Sequence, residues 1–252
     1  MPRLARLYAP GVIHHVMIRG IERRKIFREN KDRNDMMDLL TDLLPGTNTT
    51  CYAWSFLPNH AHFLFRSGDA GLSTLMRRLL TGYAVNFNRR HRRHGPLFQN
   101  RYKSIICQED IYLRELVRYI HLNPLRSKIV SNINGLNRYK YSGHSALMGK
   151  RQCSWQNKRY VLSCFGKSPS TGRDNYYAYV KDGLEQGRRP ELVGGGLIRS
   201  LGGWKEARRL RLKGQGCMKG GERILGGGDF VMNILIDADE RMDRRYELRS
   251  LV

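Results

Sequence analysis

The order of predicted strands and helices in the first half of the chain is the feature that most limits its fold. Apolar runs rich in β-branched and aromatic residues predict strands near residues 12–19, 50–57, 60–66 and 101–107. Helical periodicity predicts helices near residues 32–44, 72–90 and 110–123. The predicted order is therefore βαββαβ followed by a further helix.

This order predicts the α+β class with a ferredoxin-like antiparallel sheet, which carries helices on one face and buries a compact core in about a hundred residues. After about residue 150 the composition changes, and glycine runs separate two predicted helices at residues 197–212 and 230–242. We therefore predict one domain over residues 1–150 and an accessory, mainly helical basic extension over residues 151–252. That extension fits either a DNA-binding element or a packing appendage, and both interpretations stay open.

Two histidines separated by one alanine lie on a predicted strand. Side chains alternate between the faces of a strand, so His60 and His62 share a face with Leu64. Two neutral imidazoles on one face begin a divalent-metal site when a third ligand arrives from another element. A polar pair that faces water gives the same pattern, so these two histidines alone do not define a metal site.

The predicted helix at 110–123 carries two more candidate residues. Its buried stripe consists of Leu113, Leu116, Val117 and Ile120. Pro124 disfavours helical geometry at the residue before it, so we expect the helix to end near Asn123. Tyr119 and Asn123 lie one turn apart at the flank of the stripe, where a phenol can act as a nucleophile and an amide oxygen suits Mg²⁺ or Mn²⁺. A packing tyrosine and a capping asparagine are the alternatives.

Four stretches, residues 17–20, 58–64, 97–103 and 118–126, together resemble the one-tyrosine HUH transposases, specifically the REP-associated tyrosine transposase branch. The resemblance implies that His60 and His62 bind the metal and that Tyr119 is the nucleophile. It places Asn123 where the family has its third, amide-bearing metal ligand. It implies an enzyme that uses Mg²⁺ or Mn²⁺ to cleave and rejoin single-stranded or hairpin DNA through a 5′-phosphotyrosine.

The charge agrees with a nucleic-acid partner. The chain has 45 Lys and Arg against 22 Asp and Glu, which gives a net charge of +23, and its pI is about 10.3. Such an imbalance predicts attraction to polyanions. The residues that we expect to contact DNA are Arg77, Arg78, Arg89, Arg90, Arg92, Arg93, Arg101 and Lys103.

Aromatic residues are interleaved with this basic region, and we expect them to stack on unpaired bases. They are Tyr83, Phe87, Phe98 and Tyr102. His91 and His94 lie in the same basic turn, where we expect them to help contact phosphate. The adjacent His14 and His15 must point to opposite faces of a strand; one of them can approach the substrate, although a structural role is simpler. For His121 we expect packing or hydrogen bonding.

Other features narrow the class of protein. No stretch approaches the roughly 18 consecutive apolar residues of a membrane span, and no targeting signal is evident. The five cysteines are scattered, which favours a reduced cytoplasmic protein and gives no support to a zinc finger. The resemblance further implies a bacterial protein that associates with the nucleoid. A phosphate loop is absent, so we expect no nucleotide hydrolysis. A non-catalytic nucleic-acid-binding module and a nuclease that activates water stay as alternatives, and the choice between monomer and homodimer is open.

Overall fold

A computed structural model of the chain describes residues 11–187, Arg189, Leu192, and residues 224–234 and 236–237. The predicted helix at 197–212 lies outside the described residues. Part of the predicted helix at 230–242 is described, and helical geometry there begins at Gly228.

The strands form one sheet in the order β2-β3-β1-β4-β5. Their bounds are β1 Ile13–Arg19, β2 Thr50–Leu57, β3 His60–Arg66, β4 Lys103–Cys107 and β5 Ile224–Leu225. The first four strands pair in antiparallel fashion, whereas the short β5 adds to β4 in parallel. This arrangement confirms the predicted α+β class and ferredoxin-like strand order, and it shows that the extension contributes an edge strand that the sequence did not predict.

The helices follow the predicted order closely in the first half of the chain. They are α1 Asn30–Gly46, α2 Leu72–Arg90, α3 Glu109–Arg126, α4 Ile133–Arg138, α5 Gly143–Leu147, α6 Lys158–Ser163 and α7 Pro169–Asp182. A 3₁₀ turn at Ile21–Arg23 follows β1. Among the described residues, no helix is both long enough and apolar enough to cross a membrane.

Helices cover both faces of the sheet. On one face Val16 and Phe63 pack in an apolar cluster with α1 and α2. On the other face Leu64 packs in a second cluster with α3, α6 and α7. The physical reason lies in β3, which is apolar on both faces between its histidine end and Arg66, so both faces must be shielded from water.

The helix α3 continues past Pro124, whereas we expected it to end near Asn123. Proline removes only its own N–H from the helical ladder, and the next turn closes with a hydrogen bond of 2.9 Å from the N–H of Ser127 to the carbonyl of Asn123. The extra turn brings Arg126 back over the helix, with its guanidinium carbon 5.2 Å from the centre of the Tyr119 ring.

Three of the four aromatic residues between the basic clusters are buried, so the expectation that they stack on bases is wrong for those three. Tyr83 and Phe87 have no exposed surface, and Tyr102 is 7% exposed. The two α2 residues continue the apolar stripe of that helix, which packs against α1. Their position on the apolar stripe of α2 therefore explains why Tyr83 and Phe87 are buried. Phe98 is the one residue of the four that is half-buried.

The first part of the extension packs against α3. The hydroxyl of Tyr176, on α7, lies 2.7 Å from Nδ1 of His121 and 2.6 Å from Nδ1 of His144. His121 is thus a buried hydrogen-bonding residue, as predicted. The extension therefore packs, through α7, on the side of α3 that faces away from the sheet. The predicted domain boundary at residue 150 stays a prediction.

Candidate active site

The sheet and α3 bring the two predicted histidines and the predicted tyrosine together. His60 and His62 lie on the face of β3 that α3 covers, and their ring centres are 5.2 Å apart. The ring centre of Tyr119 is 5.9 Å from that of His62. A metal-binding histidine pair and a tyrosine nucleophile need this proximity, since one phosphate must reach both.

Asn123 lies one helical turn after Tyr119 and is 7% exposed. Its Nδ2 atom has no hydrogen-bond partner among the described residues. Buried polar groups are normally paired within the protein, so this Nδ2 is a donor available to an acceptor such as a phosphate oxygen, while the oxygen of the same amide is the atom that could bind a cation. The amide is the kind of ligand that the resemblance assigns to this position.

The hydrogen bond of His60 determines which ring nitrogen is free. Its Nδ1 lies 2.6 Å from Oδ1 of Asn59. The Asn59 amide is oriented by its Nδ2, which donates to the carbonyl of Arg23 at 3.1 Å. An amide oxygen can only accept, so Nδ1 of His60 carries the proton and Nε2 carries the lone pair.

A third histidine, His15, does the same for His62. Its Nδ1 donates to the carbonyl of Leu192 at 2.9 Å, so in the neutral ring Nε2 accepts. That Nε2 lies 3.0 Å from Nδ1 of His62, which must therefore donate. Both candidate ligands thus present Nε2 with a free lone pair. The sequence analysis had left open which of the two adjacent histidines, His14 or His15, approaches the site.

Burial keeps these imidazoles neutral. Desolvation, with a smaller contribution from the charge of Arg19, lowers the pKa of His60 to about 4. Desolvation also lowers the pKa of His15 to about 4, against a smaller opposing effect of its bond to Leu192. For His62, burial and then its histidine neighbours hold the pKa well below the usual range. Neutral imidazole is the form that binds metal.

These residues fit a divalent metal. Two imidazole nitrogens and an amide oxygen form an uncharged ligand set, which leaves the full positive charge of an ion available to a phosphate. Mg²⁺ prefers oxygen ligands, while imidazole nitrogens suit transition metals such as Mn²⁺ better.

A second cluster has metal-ligand residue types but is already satisfied. Glu29, Asp32 and His91 lie within reach of a common point. Asp32 however accepts hydrogen bonds from His91 and Arg90, and from the backbone N–H groups of Glu29 and Arg28 at the start of α1. This cluster therefore ties the end of α2 to the start of α1. The expectation that His91 contacts phosphate is wrong, because its Nε2 is occupied by Asp32.

Two cations lie beside the histidines and the tyrosine, and the sequence analysis gave neither a role. Arg19 pairs with His60 in the register of β1 and β3 and is exposed. Arg126 lies over the Tyr119 ring. The sequence could have placed Arg19 at the site, because residues 15, 17 and 19 of a strand share one face, so Arg19 lies on the same face of β1 as His15. Arg126 was missed because the helix was expected to stop before it.

The residues predicted to contact DNA do not form one cluster. Exposed side chains are those of Arg77, Arg78, Arg89, Arg92 and Arg101, and half-buried ones are those of Arg90, Arg93 and Lys103. Arg78 and Arg89 are separated by about 16 Å along α2. Arg90 pairs with Asp32 at 2.7 Å and with Asp35 at 3.3 Å, so its charge is already balanced.

A known protein family matches the first part of the chain. Residues 9–123 match the family model described as "Transposase IS200 like". The matched residues include all of β3, with His60 and His62, and most of α3, and they end at Asn123. Residues 9–123 are therefore similar to the transposases of the IS200-like family.

The fold is similar to that of a REP-associated tyrosine transposase, whose structure was solved bound to a REP hairpin. The two chains share 17% identity with a TM-score of 0.50, over 62% of this chain and 92% of the other. A putative transposase from Deinococcus radiodurans R1 aligns over 47% of this chain and 94% of the other at 14% identity, with a TM-score of 0.34 that is too low to bear on the fold. No curated protein matches the chain significantly. The family match and the fold confirm the resemblance seen in the sequence.

Proposed function

We propose that this protein is a metal-dependent DNA transesterase that cleaves and rejoins single-stranded or hairpin DNA. The observation that carries the proposal is the 5.9 Å separation between the rings of Tyr119 and His62. A phosphate between them meets a nucleophilic oxygen from α3 and the free Nε2 side of the histidine pair at once.

In the proposed reaction the phenolic oxygen of Tyr119 attacks the scissile phosphorus. A bond forms between that oxygen and phosphorus, the bond from phosphorus to the 3′ oxygen breaks, and the 3′ oxygen takes up a proton. The products are a 5′-phosphotyrosine and a 3′-hydroxyl. Because one phosphate ester replaces another, the reverse attack rejoins the strand without ATP.

The residues around Tyr119 assist this step. The phenol must lose its proton as it attacks, and the cation of Arg126 beside the ring favours the charged phenolate. Arg19 lies next to His60 in the register and offers positive charge to the phosphoryl oxygens.

His60, His62 and Asn123 would hold Mg²⁺ or Mn²⁺. When bound, such an ion polarises the scissile phosphate and favours attack on phosphorus. The described hydrogen bonds of Asn59 and His15 aim the two imidazoles for this purpose.

We further propose that the DNA contacts come from the basic side chains named in the sequence analysis, apart from Arg90, whose charge Asp32 and Asp35 balance. They are Arg77, Arg78, Arg89, Arg92, Arg93, Arg101 and Lys103. In this proposal residues 1–150 carry the chemistry and residues 151–252 are accessory, with the Leu192 carbonyl supporting His15. We propose hairpin DNA as the partner because the similar transposase was solved bound to a REP hairpin.

The test is an assay for a covalent adduct between the protein and labelled hairpin DNA in the presence of Mn²⁺. We expect an adduct that survives denaturation, is abolished by Tyr119→Phe and is retained by Tyr112→Phe, which alters another tyrosine of α3. DNA binding should persist in both variants. Cleavage without an adduct would favour a water-activating nuclease, and binding without cleavage would favour a non-catalytic module.

A further inference from the structure

We propose that a basic surface along the edge of the sheet binds duplex DNA through its phosphates, as a second DNA site separate from that of Tyr119. We call it the edge surface, and it consists of Lys140, Lys150, Arg151, Lys158 and Arg173. The inference goes beyond the proposed function, which concerns the single-stranded or hairpin DNA that is cleaved.

The sequence contains a long stretch without negative charge. No Asp or Glu occurs between Glu115 and Asp174, although the whole chain has 22. The basic residues of this stretch are Arg118, Arg126, Lys128, Arg138, Lys140, Lys150, Arg151, Lys158, Arg159, Lys167 and Arg173. So one-sided a charge over residues 116–173, which we call the acid-free stretch, predicts attraction to a polyanion.

The acid-free stretch runs along β2, which is the outer strand on one side of the sheet. Near one end of β2 the N–H of Phe56 donates to the carbonyl of Tyr141 at 2.9 Å, and near the other end the N–H of Asn157 donates to the carbonyl of Cys51 at 2.8 Å. These two contacts are about 16 Å apart on the strand, which is the rise of about five base pairs. The residues next to them in the chain are cations, namely Lys140 and Lys158.

Arg151 lies close to both of these lysines. Its guanidinium donates to the backbone carbonyl of Lys140. Burial raises the pKa of the Cys153 thiol, and backbone hydrogen bonds together with the charges of Arg151 and Lys158 act against that rise. The two cations therefore lie near the same thiol, and Arg151 links the two ends of the edge surface.

Arg173, on α7, lies against the turn that leads into Lys150. Its Nε donates to the carbonyl of Leu147 at 3.1 Å. A Cβ atom on Gly149 would lie 3.6 Å from the carbon of the Arg173 guanidinium. Because Lys150 directly follows Gly149 and directly precedes Arg151, the packing of α7 adds a fifth cation to the same surface.

The charge of the edge surface is not balanced within the part of the chain that the structure describes. There, none of its five cations pairs with a carboxylate. Lys140 and Lys150 are exposed, and Arg151 and Arg173 are held by neutral backbone carbonyls. The positive charge is thus positioned but remains accessible to phosphates.

The aromatic rings near these cations are already packed, which favours a duplex over a single strand. The ring centre of Trp155 is 4.9 Å from that of Trp54, and the ring centre of Tyr160 is 5.0 Å from that of Tyr52. Unpaired strands are bound largely by stacking of bases on accessible aromatic rings, whereas duplex DNA is bound mainly through its phosphates. A charged surface without such rings fits the duplex.

The edge surface also has no apolar anchor for a membrane or a protein partner. The large apolar side chains that are exposed among the described residues are Val85, Ile111 and Ile236, and all three lie outside the acid-free stretch. Peripheral membrane binding and protein interfaces both need apolar or aromatic side chains that become buried. Phosphates on a rigid duplex need only cations.

The first experiment measures the affinity of the full chain for a blunt, fully paired DNA duplex of mixed sequence at several salt concentrations. We expect the double variant Lys140→Gln and Lys150→Gln to bind about tenfold more weakly at low salt. The slope of log K against log salt should fall by about 2, since each lost phosphate contact lowers it by about 1. Unchanged affinity and slope would overturn the proposal.

The matched control is the double variant Arg114→Gln and Lys181→Gln, which removes two exposed cations that lie outside the acid-free stretch. We expect its affinity for the duplex to stay within about twofold of the wild type. An equal loss in this control would mean that the total charge of the protein attracts the duplex, and the edge surface would have no special role.

The second experiment asks whether the duplex has a site of its own. The Tyr119→Phe variant, which cannot form an adduct, is saturated with a labelled hairpin, and the duplex is added with a second label. We expect a complex of one protein, one hairpin and one duplex in native mass spectrometry, which the lysine double variant does not form. Mutual exclusion of the two DNAs would overturn the proposal, because the edge surface would then hold the hairpin.

Flotation with phosphatidylglycerol vesicles tests the other polyanion. We expect little binding of the wild type to these vesicles at physiological salt. Binding that depends on Lys140 and Lys150, with no change in affinity for the duplex, would assign the edge surface to a membrane and overturn the choice of DNA.

The outcomes also separate this inference from the proposed function. If the wild type forms no covalent adduct but its binding of the duplex depends on Lys140 and Lys150, the chemistry fails and the edge surface stands. If the lysine double variant forms the adduct with hairpin DNA and binds the duplex as tightly as the wild type, the edge surface fails and the chemistry stands.

Discussion

The Nε2 atom of His15 accepts a hydrogen bond from Nδ1 of His62 across 3.0 Å. His15 is itself oriented by the carbonyl of Leu192, which is 177 residues away in the chain. A residue of the extension thus determines, through one intervening ring, which nitrogen of His62 faces the site. Partners of this type orient a metal ligand and raise its basicity.

We expect His15→Phe to weaken Mn²⁺ binding by about 10- to 100-fold, because His62 loses the acceptor that fixes its tautomer. Isothermal titration calorimetry with Mn²⁺ in the absence of DNA measures this directly. The control is His14→Phe, which alters the neighbouring buried histidine on the opposite face of β1. Equal metal affinity in the two variants, at comparable thermal stability, would show that His15 only fills space.

The guanidinium of Arg126 over the Tyr119 ring leads to a prediction about pH. A nearby cation favours the phenolate, so its removal shifts ionisation of the nucleophile to higher pH. We expect Arg126→Met to lower the cleavage rate near pH 7 by about tenfold and to regain much of it as the pH rises. Rates measured from pH 6 to 10 give the profile.

Arg138→Met, an exposed substitution on α4, serves as the control and should leave the profile unchanged. A uniform loss of rate at every pH in Arg126→Met would mean that Arg126 contacts the phosphate and does not act on the phenol.

Local patterns in the sequence predicted the faces of the site but not the partners. Alternation placed His60 and His62 on one face, and the 3.6-residue stripe of α3 placed Tyr119 at its flank, because both depend on neighbours within one element. His15 could not be assigned in this way, since its partner comes from a distant segment. The same limit applied to Arg90, where the basic run gave no indication that α1 supplies carboxylates.

The buried carboxylate of Asp32 makes a prediction about stability. Burial alone would raise the pKa of Asp32, but hydrogen bonds from His91, Arg90 and two backbone N–H groups lower it overall. We expect Asp32→Asn to reduce the free energy of unfolding by about 2 kcal/mol at pH 7, since it removes the charge that Arg90 pairs with and mismatches the donors. Urea denaturation provides the measurement.

The pH dependence of this loss has a definite sign. A carboxyl whose pKa is lowered by folding stabilises the protein above its unfolded pKa of about 4, and the contribution disappears as the pH falls through the lower folded value. The difference between wild type and Asp32→Asn should therefore be full at neutral pH and shrink in acid. Asp38→Asn, an exposed change on the same helix, should show little difference at any pH. A difference for Asp32→Asn that is independent of pH would exclude the carboxylate charge as its source.

Two adjacent arginines at the end of α2 should respond differently to salt. Arg89 is exposed, whereas Arg90 pairs with Asp32 and Asp35. Affinity for DNA falls with salt because phosphate contacts release counterions, and each lost contact lowers the slope of log K against log salt by about 1. We expect Arg89→Ala to lower that slope and Arg90→Ala to leave it unchanged while reducing stability, as the buried carboxylate loses its partner. Titrations of a labelled hairpin at several salt concentrations provide the slopes, with denaturation curves for both variants. A reduced slope for Arg90→Ala at intact stability would mean that this residue exchanges its carboxylates for phosphate when DNA binds.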